Sequence, residues 1–247
     1  MTPGEYLWHL SRDGARLRDV AARDLSAHVP SCPDWDVADL VSHVARVYEH
    51  KVACMRLGRR PEESEYPREA PDGDVFAWFD QALATLTAEL RERGPDAPSY
   101  TWFPPDQTVG FWIRRMAQET AVHRYDAELA LGDVTPIDDA IALDGIDEVL
   151  VSFLGGPWYV DEPAGDATER TVLVRSGGRT WHLTLGETSV PVKTDGPGTN
   201  AELVVDGPPS ETLLWLWGGR VSDDVVALDG PADLVTEFRG RLDYVVD

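Results

Sequence analysis

Residues 109–132 read VGFWIRRMAQETAVHRYDAELALG. This stretch predicts a helix from about Val109 to Leu131, closed by Gly132 at the position where helices take a left-handed residue. Glu119 and His123 stand four apart within it. Residues at that spacing project from one helical face about 5–6 Å apart, close enough to share a metal ion.

Working upstream, apolar residues recur at helical spacing from Glu5 to about Leu25, through Tyr6, Leu7, Leu10, Leu17, Val20 and Ala21. After the break between Pro30 and Pro33, Asp34 or Asp36 can cap a second helix with the stripe Val37, Leu40, Val41, Val44, Val47 and Tyr48. That helix carries His43. Residues 59–73, RRPEESEYPREAPDG, lack periodicity and read as a long loop. A third helix is expected over about Asp74 to Arg93, ended by Gly94-Pro95, and residues 96–106 lead into the helix at Val109. Four long helices in succession imply a bundle whose core gathers side chains from facing helices, a common setting for metal sites. If the second and fourth helices face each other, His43 supplies a third ligand beside Glu119 and His123.

Downstream, a fifth helical stretch from Ala140 to Phe153 precedes Gly155-Gly156-Pro157, after which the period changes from 3.6 to 2. The boundary is therefore placed there, giving domains 1–154 and 155–247. Thr171 to Arg175 and Thr180 to Leu185 flank a glycine-containing turn, the pattern of a hairpin. A strand over Ala201 to Val205, a helix from Pro209 to Trp217, a strand over Val225 to Leu228 and a helix from Pro231 to Arg241 complete an α+β second half.

Composition narrows the function classes. The chain has 247 residues, 43% hydrophobic and 27% charged, as in folded globular proteins. Its net charge of -22 repels phosphate backbones and anionic lipid. The nearest basic clusters, Arg56 with Arg59 and Arg60 and Arg114 with Arg115, are short, so neither a nucleic-acid nor a membrane partner is expected. No secretory leader and no run of about 18 apolar residues is visible, which points to the cytoplasm. Cys32 and Cys54 are too few for a disulfide framework. A monomer or weak homodimer is expected.

Two imidazoles and one carboxylate suit zinc, and three protein ligands leave a position open for water or substrate, the mark of a catalytic site. The Glu-x-x-x-His pair alone is a weak signal. His9, His28, His50 and His182 are read as ordinary surface or core histidines, and Trp35, Trp102 and Trp112 as core rather than pocket. Asp126, three residues past His123, can orient a metal-bound histidine or pair with Arg124 or Arg115.

Three motifs together resemble the mycothiol-dependent maleylpyruvate isomerase-like proteins over nearly the whole chain. CPDWDVADLVSHV, residues 32–44, is similar to that family's Cys-Pro, Trp, Asp-Leu and ligand-His pattern. ETAVHRYDAELALG, residues 119–132, matches its Glu-x-x-x-His-Arg-x-Asp-Ala pattern, and GPPSETLLWLWGGR, residues 207–220, its C-terminal Trp-Gly-Arg end with one extra glycine. The resemblance implies an α+β architecture of a DinB-like metal-binding four-helix bundle followed by a smaller domain with a mainly antiparallel sheet. It implies Zn2+ or another divalent metal on His43, Glu119 and His123, with mycothiol as the thiol cosubstrate. It assigns Arg220 to binding substrate or thiol, against the alternative of an arginine that caps a helix end.

The chemistry so implied is addition of a thiolate to a cis double bond, rotation about the resulting single bond, and elimination to the trans product. An adduct that is kept makes the enzyme an S-transferase instead. The acidic bulk charge offers no steering for a dicarboxylate, which favours a less charged electrophile. A non-catalytic metal- or ligand-binding protein and a metal-dependent hydrolase remain the alternatives. The hydrolase would need a carboxylate such as Asp126 as its base.

Overall fold

The computed structural model describes residues 1–157, 168–196, 200–218 and 220–246. Helix α1 spans Pro3–Ala21, α2 Val37–Leu57, α3 Val75–Arg93 and α4 Val109–Leu131. Their ends follow the sequence chemistry. Thr2 and Glu5 form a capping box at α1, Asp36 and Asp39 another at α2, and the Asp74 carboxylate accepts from the backbone N–H groups of Phe76 and Ala77 at α3. Gly58 and Gly132 close α2 and α4 with φ of 65° and 68°, a left-handed conformation that costs glycine little.

α4 is the central helix, packed chiefly against α1 and also against α2 and α3. Nearly all of its residues from Val109 to Glu128 are buried, including Gln118, Glu119, Thr120, His123, Arg124, Asp126 and Glu128. So many polar groups out of water require partners, because an unpaired buried charge costs several kcal/mol (~2–7 even for a neutral group). Glu128 shows how they are found. Its two oxygens accept from Arg16 Nε at 2.7 Å, Arg124 Nη1 at 2.7 Å and the backbone N–H of Thr135 at 2.8 Å. Around this polar spine the apolar core contains Leu10, Leu17, Leu40, Tyr48, Phe79 and Trp112, all fully enclosed. Each buried side chain of that size is worth about 1.5–3 kcal/mol.

In the second half, α5 (Asp139–Asp147) runs into a π-helical segment, Glu148–Leu154, where one continuous helix is expected from periodicity. Strands β1 (Arg170–Ser176) and β2 (Arg179–Leu185) form the expected hairpin. Its turn residues Gly177 and Gly178 have φ of 52° and 81°, the sign that a two-residue hairpin turn needs. β3 (Val192–Thr194), β4 (Leu203–Asp206), α6 (Pro209–Leu216), β5 (Ala227–Asp229) and α7 (Ala232–Val246) follow. The sheet order is β3-β2-β1-β4-β5. The β1–β4 pair is parallel and every other pair antiparallel. Trp181, Leu203, Val205, Leu213, Trp215 and Phe238 form its core.

The chain divides into two compact units, 1–135 and 136–247. The division precedes α5, whereas the change of period places a boundary after residue 154. The physical reason is packing: α5 buries Ile141, Ala142 and Ile146 and lies against α6, and a helical period does not reveal which partner covers the apolar face. Among the described residues, no helix is long and apolar enough to cross a membrane.

Candidate metal centre

α2 and α4 bring His43, Glu119 and His123 together, with one ligand atom from each within 4.8 Å of the others. His43 Nε2 lies 3.4 Å and His123 Nε2 3.3 Å from the same oxygen, Glu119 Oε1. Atoms bound tetrahedrally at about 2.0–2.1 Å stand roughly 3.3–3.4 Å apart, so the two distances to Glu119 fit a first-row divalent ion. Among the described residues this is the one group of three or more His, Cys, Asp or Glu side chains able to hold a metal.

The surroundings fix the donors. His123 Nδ1 lies 2.9 Å from Asp126 Oδ2, and Ser31 Oγ donates to Asp126 Oδ1 at 2.6 Å. Asp126 thereby holds the imidazole so that Nε2 points to the other ligands, the arrangement typical of metal-bound histidine. Arg115 donates to Glu119 Oε2, leaving Oε1 for the imidazoles. Trp35 lies over the histidines, its ring 4.7 Å from that of His43 and 6.4 Å from that of His123.

Trp35 is therefore part of the site, whereas a core role is expected from sequence. Trp112 is fully buried as expected, with its indole N–H donating to the Tyr100 carbonyl at 2.9 Å, and Trp102 packs edge-on to Phe111. Ser31 is a neighbour of these side chains that sequence reading does not place, and Arg115 is expected from sequence only as an alternative partner of Asp126. The i, i+4 spacing of Arg115 and Glu119 is a signal for that pair, while Ser31 pairs across 95 positions and leaves no local pattern. Arg220 belongs to the second unit. Its Nη1 donates to the Trp217 carbonyl at 2.8 Å, satisfying the end of α6 as a helix-capping arginine does.

The electrostatics of these side chains follow from burial and charge. Burial opposes the charge on Glu119, but Arg115 and His123 outweigh it and hold the carboxyl well below the usual range. Burial likewise opposes charge on His123, yet Glu119 and Asp126 prevail and raise its pKa to about 9. His43 goes the other way, lowered chiefly by burial against the hydrogen bond to Glu119. The site thus carries a proton on His123 near neutrality.

A group with a raised folded pKa stabilises fully below its unfolded value, about 6.5 for histidine, and loses that contribution as pH rises through the folded value. Chelated protein is expected to lose stability between about pH 7 and 9, and His123→Asn to remove that slope. Urea midpoints across this range test it. A slope retained in His123→Asn would assign it to another group.

A crystal structure titled mycothiol-dependent maleylpyruvate isomerase matches with a TM-score of 0.57 and 17% identity over 93% of both chains. A histidine-to-alanine mutant of that isomerase matches with a TM-score of 0.57 and 16% identity, again over 93% of both. At such identity the likeness shows the fold. No curated protein matches the chain. The N-terminal domain description of mycothiol maleylpyruvate isomerase matches residues 7–128 and the C-terminal domain description of the same family residues 140–237, so the chain belongs to that family.

Proposed function

We propose that this protein is a divalent-metal enzyme, with zinc as its ion, that activates a low-molecular-weight thiol, mycothiol, for S-transfer to a small electrophile or for its cis-trans isomerisation. The observation that carries the reading is the convergence of His43 Nε2, Glu119 Oε1 and His123 Nε2 from two rigid helices. When bound, the metal supplies a Lewis acid that favours the thiolate form of a coordinated thiol at neutral pH.

The chain's own residues do the rest. Asp126 fixes the tautomer and tilt of His123, and Arg115 keeps Glu119 ionised and turned with one oxygen toward the histidines. Trp35 covers one side of the imidazoles and limits water there. His43 remains partly open, with 24% of its side chain exposed against 11% for the other two ligands, so access is from its side. Arg220 is kept as a residue for thiol or substrate.

The hydrolytic alternative needs a carboxylate free to take a proton from water. Asp126 has no exposed surface, and its oxygens are engaged by His123 and Ser31, which disfavours that role.

Elemental analysis of protein purified without chelators, paired with turnover of N-ethylmaleimide with and without thiol, tests the reading. About one zinc per chain, as for a single three-ligand site, with turnover strictly dependent on thiol, is the expected result. Folded protein that takes up no metal, or turnover that needs none, would sink it.

A further inference from the structure

Residues 22–36 join α1 to α2, and the second half of this loop is tied to itself through its backbone. The Val29 N–H donates to the Trp35 carbonyl and the Cys32 N–H to that of Val29, both at 3.0 Å, while the Trp35 N–H donates to the Cys32 carbonyl at 2.9 Å. The Val37 N–H, at the start of α2, donates to the Ala27 carbonyl at 3.0 Å. Pro30 and Pro33 fix the φ angles at their own positions in between. A loop closed in this way moves as one piece.

Two of its side chains reach the candidate metal centre from different directions. Ser31 Oγ donates to Asp126 Oδ1 at 2.6 Å, and the other oxygen of Asp126 lies 2.9 Å from His123 Nδ1. Trp35, further along the loop, lies over the rings of His43 and His123. The loop therefore meets His123 twice, behind its Nδ1 through Asp126 and across its face through Trp35. At 2.6 Å the Ser31 bond has the length of a hydroxyl on an ionised carboxylate, about 2.5–2.7 Å, a class roughly twice as strong as neutral pairs.

We propose that Ser31 is a positioning residue for the metal centre: its hydroxyl latches the loop to Asp126, and the latched loop seats Trp35 over the two imidazoles, so that one hydrogen bond sets both the aim of His123 and the cover of the site. This rests on the reading of His43, Glu119 and His123 as metal ligands. A ligand already held in its bound orientation gives up less freedom when the ion arrives, and the groups behind a metal-bound histidine supply that hold. Ser31 touches neither the ion nor its ligands and acts only through Asp126 and the loop.

The test is zinc affinity, by competition against a chromogenic chelator, in wild type, Ser31→Ala, Ser31→Thr, Asp126→Ala and the double variant of Ser31→Ala with Asp126→Ala. Ser31→Ala is expected to weaken zinc about three- to tenfold, a part of the roughly 10–100-fold that groups behind a metal ligand command. Ser31→Thr keeps the hydroxyl and should recover most of the loss. The double variant should bind as Asp126→Ala alone does, because residues acting in series do not add. Trp35 is followed by acrylamide quenching of the emission that Trp35→Phe removes, and that fraction should become more accessible in Ser31→Ala than in wild type or Ser31→Thr. Unchanged zinc affinity in Ser31→Ala, a loss that threonine leaves unrepaired, losses that add in full, or an indole no more accessible than before would overturn the assignment. Wild type that takes up no zinc would instead sink the reading of the site, a failure seen before any variant is compared.

Discussion

His123→Ala is expected to weaken zinc binding by about two orders of magnitude and to abolish thiol-dependent turnover. Four-ligand zinc sites gain about 10–16 kcal/mol, so one ligand of a comparable site carries on the order of 3 kcal/mol. Asp126→Asn keeps the volume but weakens the grip on His123 Nδ1. It should cost about 10–100-fold in affinity, as changes to groups behind a metal ligand do. Competition against a chromogenic chelator gives both values. The order matters more than the size: if Asp126→Asn hurts more than His123→Ala, Asp126 does not act through the histidine alone. If neither variant changes affinity, the ion sits elsewhere.

Glu128→Ala is expected to destabilise the N-terminal unit by about 3–5 kcal/mol, the usual cost of removing one partner from a buried ion pair. Arg124, whose side chain is 2% exposed, would lose the carboxylate at 2.7 Å and keep that of Asp13 at 3.9 Å. The Thr135 backbone N–H would lose its acceptor as well. Urea unfolding measures the change, and a loss below about 1 kcal/mol would mean that water or a rearranged Arg124 replaces the carboxylate. The double replacement Arg124→Met with Glu128→Leu should recover much of the loss, because hydrophobic substitutes for a buried pair are often neutral. Metal content should change little, since Glu128 touches none of the ligands.

The helices were legible because their ends are chemically marked. The expected bounds of the helix at Val109–Leu131 coincide with α4, and Asp36, Asp74 and Gly132 cap where their residue types say they should. The hairpin at Gly177-Gly178 was legible for the same reason, since few residues other than glycine tolerate that turn. β3 was not, because Val192–Thr194 is short, mostly exposed and without alternation. The π-helical turn at Glu148–Leu154 also leaves no trace in a 3.6-residue pattern.

At the candidate site, i, i+4 spacing exposed Glu119 and His123, and placing His43 beside them needed the facing of two helices, which periodicity only implies. Arg124 or Arg115 was offered as a partner for Asp126; Arg115 donates to Glu119, and Asp126 accepts from Ser31 in a loop. Pairings between distant segments are set by tertiary packing and have no local spacing to read.

The Arg115 contact carries a consequence for which ions can compete. A carboxylate with one oxygen engaged by a guanidinium cannot swing to chelate with both, so Glu119 offers a single oxygen beside two imidazole nitrogens. Calcium takes about six to eight oxygens and magnesium a near-octahedral shell of them. Both find one hard oxygen donor here beside two borderline imidazole nitrogens. On the proposed reading of the site, discrimination against alkaline-earth ions would be exerted by an arginine that never meets the metal.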